Sequence, residues 1–120
     1  MYKRQALEGI AWRVADVVAA MQETVDVASL RVDGGLTNEP LLLALQADAI
    51  GVPVEAAGAD ATVLGAAVLA AVGSGTIGSL AEAAELLPVD RRVEPARDSA
   101  WRQAEHDRWR SFVSAAAALH

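Results

Sequence analysis

The chain has 120 residues, 53% of them apolar, enough for one packed domain burying about two-thirds of its unfolded surface and too few for two ordinary domains. It holds no cysteine, which excludes disulfides, thiolate zinc sites and cysteine nucleophiles and suits a reducing, cytoplasmic setting. The formal charge is −6, with 4 basic against 11 acidic side chains in residues 1–88 and 6 against 5 in residues 89–120, so no basic face exists for nucleic acid.

The first segment, Met1-Tyr2-Lys3-Arg4-Gln5, lacks the apolar block and small-residue cleavage site of a secretory signal. Residues 5–22 place Leu7, Ile10, Val14, Val17, Val18 and Met21 three and four apart, which predicts a helix with these residues on its buried face. Ala28 to Val32 then runs into Asp33-Gly34-Gly35, a short strand stopped by a tight turn. Helical spacing resumes over 38–50 through Leu41, Leu42, Leu45 and Ile50, with Thr37 or Asn38 as the expected cap, Pro40 in the first turn and Gly51 closing the end.

Val52 to Ala56 reads as a second strand with Pro53 at its start. Strand, helix, strand in about 30 residues is a parallel βαβ unit. A two-stranded parallel sheet is not stable alone, so the strand at Leu30–Val32 should present an open edge to another chain. The expected partner is a second copy, giving a homodimer or higher assembly. Residues 62–73 form a helix whose apolar run, Ala61 to Gly73, is too short for the roughly 20 residues of a bilayer span, and no membrane association is expected. A short acidic helix over 78–87, an extended connector over 88–96 between Pro88 and Pro95, and a final helix over 98–119 complete the chain. On that last helix Trp101, Trp109, Phe112, Val113 and Ala116 share a face, and Glu105 and Arg108 are spaced to pair.

Chemistry concentrates at Asp33-Gly34-Gly35-Leu36-Thr37-Asn38. It joins a strand's C-terminal end to a helix start, where α/β folds bind ligands, and two glycines let a nucleotide approach the backbone. His106 and His120, 14 residues apart with no cysteine, read as solvated positions rather than metal ligands. Ser74 and Ser79 lack a nucleophile-elbow pattern, and Arg91-Arg92 reads as a solvated connector.

Four blocks in order carry a resemblance: Arg4 to Val18, Leu30-Arg31-Val32-Asp33-Gly34-Gly35, Gln46-Ala47-Asp48-Ala49-Ile50-Gly51-Val52-Pro53-Val54, and Thr62-Val63-Leu64-Gly65-Ala66-Ala67. Together they strongly resemble the C-terminal domain of the FGGY carbohydrate kinases, nearest the glycerol kinase branch, and the similarity extends over Arg92 to Ala116. The resemblance implies a helix-rich α/β chain, part of a ribonuclease H-like, actin-type fold, with residues 1–120 as a single partial domain. It implies ATP or ADP with Mg²⁺ as cofactor, and places Asp33, Gly34, Gly35, Thr37, Asn38 and Glu39 at the nucleotide. Glu39 stands where glycerol kinases commonly carry an asparagine, and Asn38 comes one place early. The family's general base, sugar site and first phosphate loop lie in segments upstream of those present here. The chain alone is therefore expected to keep half of a nucleotide cleft and to lack kinase activity. The alternative is a non-catalytic oligomerisation module on the same fold.

Overall fold

A computed structural model describes residues 2–58 and 60–119. Helix α1 (Tyr2–Gln22) is followed by strand β1 (Leu30–Val32), a 3-10 turn (Gly35–Asn38), α2 (Pro40–Ile50), β2 (Val54–Ala57), α3 (Ala61–Gly73), α4 (Leu80–Glu85), β3 (Val89–Val93) and α5 (Ser99–Ala117). The sheet has the order β1-β2-β3, with β1 parallel to β2, Leu30 opposite Val54 and Val32 opposite Ala56. The βαβ unit is therefore present. The extended segment after Pro88 is more than a connector, because it pairs antiparallel to β2 and makes the sheet mixed.

Helix α2 is the central element. Its Leu43 and Ala47 pack on Val54 and Ala56 of the sheet, while Ala49 meets Ala11, Trp12 and Ala15 of α1. The buried face of α1 is Leu7, Ala11, Trp12, Ala15 and Val18, a rotation away from the expected stripe. Ile10, Val17 and Met21 stay exposed. Alanines win the interface because their small side chains let two helices approach closely, whereas apolar spacing alone favours the larger residues.

Gly51 ends α2 in a left-handed conformation, φ 82°, its N–H bonded to Ala47 O at 2.8 Å. Pro40 takes the first position of α2, but the N-cap is Glu39 and no side chain caps it. The expected cap fails because Thr37 lies inside the 3-10 turn, where its Oγ1 donates to Gly34 O at 2.7 Å. Helix α4 is capped by Ser79, whose Oγ accepts from Glu82 N–H at 3.2 Å.

The core is thin. Helix α3 buries none of its thirteen residues, and Val63 and Leu69 are 67% and 61% exposed. The accessible surface is 7948 Å², against about 6200 Å² for a compact monomer of this mass. The radius of gyration is 16.7 Å, where about 14 Å is usual for 120 residues. Burial thus falls to a little over half of the unfolded surface, short of the expected two-thirds.

Candidate functional site

Strand β1 delivers the chain into Asp33-Gly34-Gly35 on the side where β2 also ends. Gly34 has φ 106° and ψ 174°, a conformation closed to residues with a Cβ. Gly35 has an ordinary φ, and a Cβ built on it meets nothing within 4 Å. The space beside the pair is open rather than filled by packed side chains.

After β2 the chain turns again, through Gly58 and Asp60, into α3. Asp60 holds a left-handed φ of 63° without capping the helix through its side chain. Such a conformation is uncommon for a non-glycine residue, aspartate being among those that tolerate it best. Between the two turns lies a groove of about 670 Å³, within the ordinary range of small-molecule sites. Asp33, Gly34, Gly35, Thr37 and Asn38 form one wall, the first turn of α3 with Asp60 another, and Asp90 with Arg91 of β3 the third. Five of the six expected site residues therefore line one groove. Glu39 lies outside its lining, held by Lys3 Nζ at 2.7 Å, a hydrogen bond that keeps its carboxyl below the usual value.

Three aspartates and one arginine are among the residues lining this space. Among the described residues, no three histidine, aspartate or glutamate side chains converge to hold a metal ion. Arg92 points elsewhere: it binds Glu55 at 3.0 Å and Glu94 at 2.7 Å, and Arg31 reaches Glu55 at 3.7 Å and Ala84 O at 3.0 Å. The ladder Arg31-Glu55-Arg92 crosses all three strands in register, so Arg92 belongs to a paired strand rather than to the solvated connector expected for the arginine pair, while Arg91 stays exposed.

A second polar cluster joins α5 to α1. Asp16 Oδ1 lies 2.7 Å from His106 Nε2, and Asp16 Oδ2 accepts from Trp109 Nε1–H at 3.0 Å. An ionised carboxylate only accepts, so the imidazole carries a proton on Nε2. His106 also stacks on Trp12, ring centroids 5.6 Å apart, and is thus an interhelical contact rather than a solvated side chain. Burial pushes the Asp16 carboxyl up, but the bonds from His106 and Trp109 and the charges of His106 and Arg13 outweigh it and leave it below the ordinary value. Trp101 and Trp109 pack against the α1 core and Glu105 pairs with Arg108 at 3.3 Å, while Phe112 stays exposed. His120 lies outside the described residues.

Residues 3–74 match the FGGY family of carbohydrate kinases, C-terminal domain. The chain is 42% identical over 113 residues to a glycerol kinase of Geobacter sp. (strain M21), covering 92% of this chain and 23% of that protein. It is 41% identical over 114 residues to glycerol kinase 2 of Thermotoga maritima, with the same coverage. Among solved structures, Plasmodium falciparum glycerol kinase with ADP superposes with a TM-score of 0.75 at 27% identity, over 90% of this chain and 22% of that one. The chain belongs to the FGGY family of carbohydrate kinases, matching its C-terminal domain. Its α/β fold is part of the ribonuclease H-like, actin-type architecture of those enzymes. It spans about a quarter of the length of these relatives. Among the described residues no helix is long and apolar enough to cross a membrane.

Proposed function

We propose that this chain forms the nucleotide-side wall of a glycerol kinase-like phosphotransferase, taking the adenine nucleotide against Gly34 and Gly35. The observation that carries this reading is the open groove beside the glycine pair, formed by residues of a chain about 42% identical to glycerol kinases. The groove fits a nucleotide in size, and backbone left bare by two glycines permits close approach. Mg²⁺ enters with the phosphates, as part of the nucleotide substrate.

Phosphoryl transfer depends on positioning, Mg²⁺ and a group that receives the acceptor hydroxyl's proton. Within this reading Asp33, Thr37 and Asn38 shape the nucleotide wall, and the polyol wall belongs to the remaining three-quarters of a kinase. Calorimetry tests the binding half. Saturable ADP binding is expected, weakened about tenfold or more by Gly35→Val, whose Cβ enters free space and whose methyls fill the approach to the backbone. Absence of binding at millimolar ADP contradicts the reading. In a coupled assay with ATP, Mg²⁺ and glycerol, the 120-residue chain is expected to release ADP at background rate.

The excess surface favours a second property, self-association of the isolated chain. The accessible area exceeds the compact value by about 1700 Å², more than one partner's share of a standard interface, about 800 Å². The exposed face of α3 and the outer edge of β1 are the surfaces that would be covered. Light scattering should give a dimer or larger species at micromolar concentration, and Leu69→Glu should shift it toward monomer. A compact monomer contradicts this.

A further inference from the structure

The turn that opens the groove also holds the chain's one Asp-Gly pair, Asp33-Gly34. Both residues are exposed, between the end of β1 and the 3-10 turn. A backbone nitrogen can attack the carboxyl of the aspartate before it only where little crowds that nitrogen and the carboxyl is free to swing toward it. Gly34 meets the first condition. It has no side chain, and even a Cβ built on it would meet nothing within 4 Å. Its carbonyl is held by Thr37, whose N–H and Oγ1 donate to it at 3.1 Å and 2.7 Å, whereas among the described residues its own N–H donates to no backbone acceptor.

Asp33 meets the second condition, and the other aspartates do not combine the two. Asp16 is tied to His106 and Trp109. Asp48 accepts from Ala96 N–H at 2.7 Å, Asp98 from Trp101 N–H at 2.8 Å and Asp107 from Gln103 Nε2 at 3.0 Å. Among the described residues the Asp33 carboxylate enters no salt bridge and no side-chain hydrogen bond. Asp26, Asp60 and Asp90 are untied as well, but Val27, Ala61 and Arg91 follow them, and each of these places a Cβ beside the nitrogen that would have to attack.

We propose that Asp33 is a site of isoaspartate formation, a slow covalent change that rewires the backbone of the candidate site. The Gly34 nitrogen bonds to Asp33 Cγ, and the amide proton leaves with a carboxyl oxygen and a proton from solvent as water, closing a five-membered imide. Water then adds at the former main-chain carbonyl of Asp33 and the bond from that carbon to Gly34 nitrogen breaks. Gly34 stays attached through Cγ, and the old carbonyl becomes a free carboxylate. Water is the only co-reactant, and nothing is oxidised or reduced. The product has one extra main-chain carbon between β1 and the glycine turn. Val32 is fixed by its pairing with Ala56, so the turn absorbs the added length and the glycine pair moves out of its place in the groove wall. The rearrangement itself is independent of the nucleotide reading, and only its effect on ADP rests on that reading.

The test ages the folded 120-residue chain at neutral pH and physiological temperature, then digests it with an endoprotease that cuts before aspartate and not before isoaspartate. Cleavage before Asp33 should be lost progressively, leaving residues 26–47 joined, while cleavage before Asp26, Asp48 and Asp90 persists. Fragmentation mass spectrometry should place the extra main-chain carbon at residue 33. Asp33→Glu should abolish the change, because its imide ring is larger and closes far more slowly, and Asp33→Asn should accelerate it, with ammonia leaving in place of water. The same chain unfolded in guanidinium gives the rate that sequence alone allows, and the folded chain should convert at a comparable rate. Full cleavage before Asp33 after ageing, equal conversion at Asp26 or Asp90, or conversion confined to the unfolded chain each overturns the proposal. In the aged chain the number of ADP sites counted by calorimetry should fall with the fraction converted. A fresh chain that binds no ADP overturns the nucleotide reading alone, and the digest still decides the fate of Asp33.

Discussion

Gly51 shows how tightly one backbone position can be specified. Its φ of 82° disfavours any side chain, and a Cβ there would lie 2.6 Å from Arg102 Cζ. The guanidinium is fixed in that place, donating to Asp48 O at 2.8 Å and Arg97 O at 3.0 Å, so it cannot move aside without losing both bonds. Gly51→Ala should destabilise the chain by at least about 1–2 kcal/mol, read as a lower urea midpoint. Asp16 makes a different prediction. Its carboxyl is held below the ordinary value, so its stabilisation is complete above about pH 4, the unfolded aspartate value, and is lost as pH falls through the lower native one. Asp16→Asn should flatten that part of the acid unfolding curve. An unchanged curve would mean that the contacts to His106 and Trp109 contribute nothing measurable.

The elements differ in how far the sequence reveals them. Helices α1, α2 and α3 and the glycine turn are legible because each is a local pattern: apolar spacing, a glycine stop, or a proline at a helix start. Strand β3 is not, since Val89-Asp90-Arg91-Arg92-Val93 carries three charges and flanking prolines. Its strand state comes from pairing with β2 more than thirty residues away, across which Arg92 also bridges to Glu55. The face of α1 is misread for a related reason, because Ala11 and Ala15 carry little hydrophobic signal yet form the close contact with α2. His106 is invisible as a contact without Asp16, which lies 90 residues earlier. In the candidate site, the glycine wall is local and readable, whereas the Asp90 and Arg91 wall exists only through long-range pairing. Unequal packing has a consequence for motion. In the dissociated, monomeric chain amide exchange should be slow in α2 and β2, which hold the buried Leu43, Ala47, Val54 and Ala56, and fast throughout α3, which buries nothing. Equal protection in α2 and α3 would show that α3 is covered in solution.

For the molecule as a whole, a thin core and a nucleotide-sized groove have a common origin. Three short strands and α2 hold two strand-to-helix turns side by side, while the outward surfaces of α1 and α3 carry apolar residues that the chain itself does not cover. That arrangement suits one part of a larger kinase, and relatives about four times as long share it. The most direct measurement is an ADP titration of the isotope-labelled chain, followed through its backbone amide resonances. Saturable shifts confined to Gly34, Gly35, the first turn of α3 and Arg91 are expected. Spectra that stay unchanged at millimolar ADP, or that move only along the α1–α5 contact, would contradict the account.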